Sequence, residues 1–407
     1  MTTQTADPAA LGFDRGRLLR IDEHFRRYVD EGRLPGWQVL ITRDRQIAHA
    51  STYGYRDIDA AIEWGDDSVV RMYSMTKPIT SVAAMVLYEE GAFELKDPVS
   101  RFIPSFADAR VYRSGNHLKP VTDGLTSEMT IWHLLTHTSG LTYGFHHLHA
   151  TDAIYRSRGY EWGGPDGNDL AACCGDWASM PLVCQPGAEW NYGVSADVLG
   201  RVIEVASGTP LDRFFEERVC GPLGMVDTSF AVRPDQEHRL ARLYTPDAVD
   251  GRAVISELED MRYMRDFLSG GGGLYGTATD YLRFCHFLLN RGELDGVRVL
   301  GSRTVDYMVH NHLPDGADLE QFGRPLLKDT FFDGVGFGLG LSVTTDAVAT
   351  KVLSSSDEYA WGGAGSTEFW CDPREDIAAV FVTQLLPGNT YPIPTQLKQL
   401  VYQALVD

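Results

Sequence analysis

Hydrophobic positions along this chain recur with a helical period in some stretches and run or alternate as strands in others. Leu18, Leu19, Ile21, Phe25, Tyr28 and Val29 predict a helix over 14–33, closed by Gly32 and Pro35. Residues 37–42 and 47–53 read as strands, with Asp44-Arg45 as the turn between them. Ile79, Val82, Ala83 and Val86 fall at i, i+3, i+4 and i+7, which predicts an amphipathic helix ending near Gly91. Residues 92–190 are rich in turn formers, with short helices such as Ile131–Leu135. Val198, Leu199, Val202 and Ile203 mark a helix over 195–206 with Gly208 beyond its end, and a further helix covers 279–290. Strands are expected at 338–344, 366–371 and 377–383, with Asp372-Pro373 turning between the last two, and a final helix follows Pro394. Strands at both ends of a long, mostly helical middle imply an antiparallel sheet built from both termini. Helices would pack on that sheet, with a helical region inserted.

Composition narrows the functional classes. The 407 residues are 43% apolar and 23% charged, ordinary for a globular chain that can bury a large core without metal or disulfide staples. Lys plus Arg is 36 and Asp plus Glu is 56, giving a formal charge of −20. That balance repels phosphate backbones and argues against nucleic acid as a partner. No run of about 18 apolar residues is present, so no membrane-spanning helix is expected. Residues 1–13 lack the basic-then-apolar pattern of a secretory signal. Cys173, Cys174, Cys184, Cys220, Cys285 and Cys371 form no CxxC pattern and read as reduced thiols of a cytoplasmic protein.

Candidate chemistry starts at Ser74-Met75-Thr76-Lys77, where the amphipathic helix opens. Residues three apart share a helix face, so Lys77 lies one turn from Ser74. A serine hydroxyl holds its proton too tightly to attack at neutral pH. A neighbouring lysine can take that proton if burial makes it less basic, or can stabilise the alkoxide as a cation. Other signals are weaker. His133, His137, His146, His147 and His149 cluster, but no acid or cysteine at metal-ligand spacing accompanies them. Gly271-Gly272-Gly273-Leu274-Tyr275-Gly276 matches GxGxxG, yet no clear strand precedes it, so its glycines read as close backbone packing. No Gly-x-Ser-x-Gly elbow occurs.

Residues 71–80 resemble the active-site segment of the serine β-lactamase and penicillin-binding-protein superfamily. Further segments resemble it in the same order. These are Leu95-Lys96-Asp97-Pro98-Val99, then His133-Leu134-Leu135-Thr136-His137-Thr138-Ser139-Gly140-Leu141, then Pro186-Gly187-Ala188-Glu189-Trp190-Asn191-Tyr192, Gly221-Pro222-Leu223-Gly224-Met225 and Gly270-Gly271-Gly272-Gly273-Leu274. The likeness spans roughly residues 15–405. It is greatest to the class C branch and, within it, to the family VIII carboxylesterases. Tyr192 stands at the second motif, with Val194 where lactamases and peptidases usually carry Asn. Trp361-Gly362-Gly363 stands at the third motif, in place of Lys-Thr-Gly.

The resemblance implies a β-lactamase-like α/β (α+β) fold. An α/β domain would comprise residues 1–73 and 275–407 and a mostly helical domain residues 74–274, with the site in the cleft between them. Ser74 would be the nucleophile, and Lys77 and Tyr192 would share the proton work, with the base left open between them. The backbone N–H groups of Ser74 and Ala364 would hold the oxyanion, next to Trp361, Gly362 and Gly363. The resemblance implies a small-molecule ester as substrate and no cofactor. Loss of the third-motif lysine favours neutral short-chain esters. Acyl transfer from the same acyl-enzyme, a β-lactamase or D-amino-acid peptidase, and a ligand-binding pseudoenzyme are the alternatives.

Overall fold

The computed structural model describes residues 5–165, 167–258, 266–324 and 332–406. At its centre an eight-stranded antiparallel sheet runs in the order Val335–Phe337, Ser342–Thr344, Tyr359–Gly363, Thr367–Asp372, Ile377–Val382, Gly36–Arg43, Gln46–Asp57, Ile62–Glu63. The amino-terminal hairpin therefore extends a carboxy-terminal meander. The join between them is Gly36–Arg43 against Ile377–Val382, with Leu40 opposite Val380.

Both faces of the sheet are covered, which explains why Ile377–Val382 is buried at every position. Val39, Ile41, Trp370, Ala379 and Phe381 turn towards the helices Arg15–Asp30 and Ile393–Tyr402. Leu40, Phe369, Ala378 and Val380 turn towards the helix Ala278–Leu289 and the remaining helices beyond it. The first helix is fixed by Asp14, whose side chain caps it by accepting from Arg17 N. Its buried stripe of Leu18, Ile21, Phe25 and Tyr28 meets the sheet, with the Phe25 and Phe381 rings 4.9 Å apart. Truncating Phe25 to Ala would cost about 3–5 kcal/mol.

Four features differ from the sequence expectation. The single strand expected at 338–344 is a hairpin, turning through residues 338–341 between Val335–Phe337 and Ser342–Thr344. Gly340 makes the turn with φ +89°, and a Cβ there would stand 1.9 Å from Ser81 Oγ. Tyr359–Gly363 is a strand that the chain's patterning did not announce, because its second half is glycine. A solvent-facing hairpin, Arg110–Asn116 with Lys119–Gly124, lies in the turn-rich region. Finally, the helix Thr76–Glu89 is not amphipathic in its setting: every residue from Thr76 to Leu87 is buried. It packs against the helix Ser195–Ser207 within the larger core, and its buried Thr76, Lys77 and Thr80 side chains are hydrogen-bonded. Thr80 Oγ1, for example, donates to Gly270 O at 2.6 Å. Among the described residues no helix is long and apolar enough to cross a membrane.

Candidate functional site

The segment before Ser74 is anchored as a short strand, with Val70 opposite Gly276 and Arg71 opposite Tyr275. Tyr73 then adopts φ +47°, a left-handed conformation that costs a non-glycine residue about 1–2 kcal/mol. A 3₁₀ turn, Tyr73–Met75, leads into the helix Thr76–Glu89. Ser74 thus sits at a sharp strand-to-helix corner, at the wall of a cavity of about 180 Å³. Lys77, in the first helical turn, is 1% exposed. Its Nζ donates to Ser74 Oγ at 3.1 Å and to Gly271 O at 2.7 Å.

Tyr192 reaches the same oxygen, its hydroxyl donating to Ser74 Oγ at 2.7 Å. The residues around it are pressed onto the 137–141 segment. Asn191 N donates to His137 O and Asn191 Nδ2 to Leu141 O, both at 2.8 Å. Gly193 follows because a Cβ there would lie 2.3 Å from Leu141 O. Rings enclose the tyrosine: His137 at 5.0 Å, Tyr143 at 5.3 Å, Trp361 at 5.5 Å and Trp190 at 6.1 Å between centroids. The ammonium of Lys77 lies 4.5 Å from the Tyr192 ring and 5.3 Å from that of Tyr143.

The third segment approaches from the sheet. Trp361 is buried against Tyr192 and Phe337, so its influence on Ser74 runs through the Tyr192 ring. Gly362 and Gly363 are close-approach positions. A Cβ on Gly362 would stand 2.4 Å from Glu368 Oε2, and one on Gly363 would stand 2.3 Å from Met72 O. Only with glycine can this strand end lie against the backbone that precedes Ser74. Ala364, just beyond, lines the cavity together with Ser74.

Several participants were not anticipated. The carbonyl of Gly271 accepts from Lys77, and the glycine run allows it to come close. A Cβ on Gly270 would meet Ala196 O at 2.5 Å, and one on Gly271 would meet Asp197 Oδ2 at 2.5 Å. Asp197 is 2% exposed, lines the cavity, and accepts from Ser269 Oγ at 2.5 Å and Gly271 N at 3.0 Å. Burial raises its carboxyl above the usual range, against the opposing pull of Lys77 and of those hydrogen bonds. Burial, then the charge of Asp197, holds Tyr143 well above an ordinary phenol. His137 lies well below the ordinary imidazole, first through burial and then through Lys77, and burial brings His146 down to about 4. Both imidazoles beside Tyr192 are therefore neutral at pH 7. The other three histidines of the cluster have local roles. His133 and His149 cap the helices Ile131–Leu135 and Ala150–Ser157, and His147 pairs with Glu161 at 3.3 Å.

Comparison with known proteins identifies the family and the fold. The family model described as Beta-lactamase matches residues 21–402. The chain is 36% identical over 367 residues to Protein Rv1367c of Mycobacterium tuberculosis, covering 89% of this chain and 88% of that protein. It is 29% identical over 425 residues to Esterase EstB of Burkholderia gladioli, covering 99% and 100%. Among solved structures it superposes on EstCE1, described as a hydrolase with promiscuous acyltransferase activity. The TM-score is 0.81 at 27% identity, over 95% of this chain and 99% of that one.

Proposed function

The chain belongs to the β-lactamase family, and within it we propose that this protein is a serine esterase that cleaves short-chain, uncharged carboxylic esters through an acyl-enzyme on Ser74. The observation that carries the reading is the convergence of Lys77 Nζ and Tyr192 OH on Ser74 Oγ at the wall of a cavity. In the reactive form one of the two partners is deprotonated and takes the Ser74 proton as Oγ attacks the ester carbonyl. The negative oxygen that forms is held by the N–H groups of Ser74 and Ala364, each worth about 3–4 kcal/mol in serine enzymes of other kinds. Collapse expels the alcohol, which recovers a proton from the Lys77–Tyr192 pair. Water then releases the acid and restores Ser74. Conversion would take place in the cleft between an α/β domain, residues 1–73 and 275–407, and a mostly helical domain, residues 74–274.

Ester preference over β-lactams is supported by Trp361 at the position where lactamases carry a lysine, since its indole offers no charge to a substrate carboxylate. Six free, buried cysteines support a reducing, cytoplasmic setting. A second reading, transfer of the acyl group to an alcohol, is favoured by the likeness to EstCE1, which does both. The test is kcat/KM for p-nitrophenyl acetate and butyrate against nitrocefin, with and without an alcohol acceptor, in wild type and Ser74→Ala. Hydrolysis of the short esters, lost in Ser74→Ala, with a mass adduct on the Ser74 peptide, is expected. Faster turnover of nitrocefin, or an adduct on another serine, would overturn the reading.

A further inference from the structure

The cavity beside Ser74 is walled by rings. Tyr143 and Phe145 stack with centroids 4.8 Å apart and planes at 18°, and Phe145 stacks on Trp162 at 4.7 Å and 15°. All three line the cavity. The series begins beside the reaction centre, where Tyr143 neighbours both Lys77 and Tyr192. It ends at the surface with Trp162, which is 41% exposed. Trp177, Phe230 and Phe267 also line it, with Trp177 edge-on to Phe267 at 6.1 Å. Offset or edge contact at 4.5–7 Å is how flat rings attract one another, and a ligand ring entering here meets the edges of this stack and the rings opposite it.

Charge narrows the ligand further. The lining carries the carboxylates of Asp197 and Glu161. Its guanidinium, Arg71, is engaged by Ala241 O at 3.0 Å and lies 5.8 Å from the Tyr275 ring. A ligand carboxylate held at the outer rings, Phe145 and Trp162, would face Glu161 and find the lining guanidinium already engaged.

We propose that this cavity is a subsite for a flat aromatic ring, free of carboxylate, carried by one half of the ester while the other half stays short. The proposal rests on ester chemistry at Ser74, but ring binding can be measured without turnover. In Ser74→Ala, 2-naphthol should bind in calorimetry, and 2-naphthoate should bind at least about tenfold more weakly. Adding Trp162→Ala, at a surface position that does not endanger the fold, should weaken 2-naphthol about five- to tenfold. Phe145→Leu, which keeps apolar bulk and removes the ring that holds Tyr143 and Trp162 in line, should weaken it several-fold. On the Ser74 background, Trp162→Ala should lower kcat/KM for 2-naphthyl acetate or ethyl 2-naphthoate by about five- to tenfold more than for ethyl acetate. Whichever ester shows the effect identifies the half that carries the ring. Equal binding of 2-naphthol with and without Trp162, or equal binding of 2-naphthol and 2-naphthoate, would overturn the subsite. Failure of every ester to react, with 2-naphthol still bound through Trp162, would instead overturn the esterase reading.

Discussion

Replacing Tyr192 by Phe removes one atom from the centre of the proposed chemistry and nothing else. The ring is 6% exposed and held on several sides by His137, Tyr143, Trp190 and Trp361, so Phe keeps the packing. What goes is the 2.7 Å hydrogen bond to Ser74 Oγ. Its loss should cost about 0.5–1.5 kcal/mol of stability. A proton-transfer partner is worth about 10²–10⁴ in rate, or about 2.7–5.5 kcal/mol of activation free energy. The kinetic loss should therefore exceed the stability loss several times over, and it should fall on kcat while KM changes little. Lys77→Met, which keeps the length of the side chain but leaves Gly271 O without its donor, should reach the same range. Because both partners act on one oxygen, the double variant should be little slower than the slower single variant. The assay is steady-state and burst kinetics with p-nitrophenyl acetate, alongside urea denaturation of each variant. A Tyr192→Phe enzyme within threefold of wild type, or single penalties that add in the double variant, would refute the shared-proton account.

Asp197→Asn keeps the shape of the side chain and removes its charge beside the loop that presents Gly271 O to Lys77; kcat for p-nitrophenyl acetate should fall about tenfold with little change in KM, and an unchanged kcat would mean the carboxylate is only a loop anchor. Gly363→Ala would place a Cβ 2.3 Å from both Met72 O and Thr367 Oγ1 and should destabilise the fold by about 1–3 kcal/mol in denaturation while also lowering kcat. Glu368 is pushed up to about 8, first by burial and then by Glu358, against the opposing pull of Lys398, from an ordinary 4.5. The folded state therefore favours its neutral form, and wild type should lose stability relative to Glu368→Gln as pH rises from 4.5 to 8, by at most about 5 kcal/mol, then level off; a difference that is flat with pH in urea titrations would count against a raised, half-buried acid.

The ends of the chain were legible because their burial is regular. A strand covered on both faces is apolar at every position, as in Ile377–Val382, and the first helix repeats its apolar stripe at each turn. Ser74 and Lys77 were legible because their relation is local, three residues apart where a 3₁₀ turn runs into a helix. Tyr192 lies 118 residues from Ser74, and no spacing rule joins them; only the order of several family-like segments did. Gly271 lies 194 residues from Lys77 and contributes a backbone carbonyl, which no side-chain pattern can announce. Asp197 reads in sequence as an ordinary acid in a first helical turn, where the helix dipole would suffice to explain it. The hairpin at residues 335–344 was missed because three glycines in an apolar run look like a weakened strand until one of them is seen at positive φ.

The same long-range contacts explain how an ammonium group can be kept almost fully out of water next to a serine. Burying a cation is costly unless its donors are met and its charge is balanced. Lys77 meets Ser74 Oγ and Gly271 O, and the π-faces of Tyr192 and Tyr143 and the carboxylate of Asp197 supply the negative field. None of these is a direct salt bridge, which would tie up the nitrogen that has to exchange a proton with Ser74. The neutral imidazoles of His137 and His146 add no competing positive charge. A carboxylate substrate would disturb this balance by offering Lys77 the direct partner that the fold withholds. An uncharged ester leaves the balance intact until the oxyanion forms, so the field acts on the transition state more than on the bound substrate.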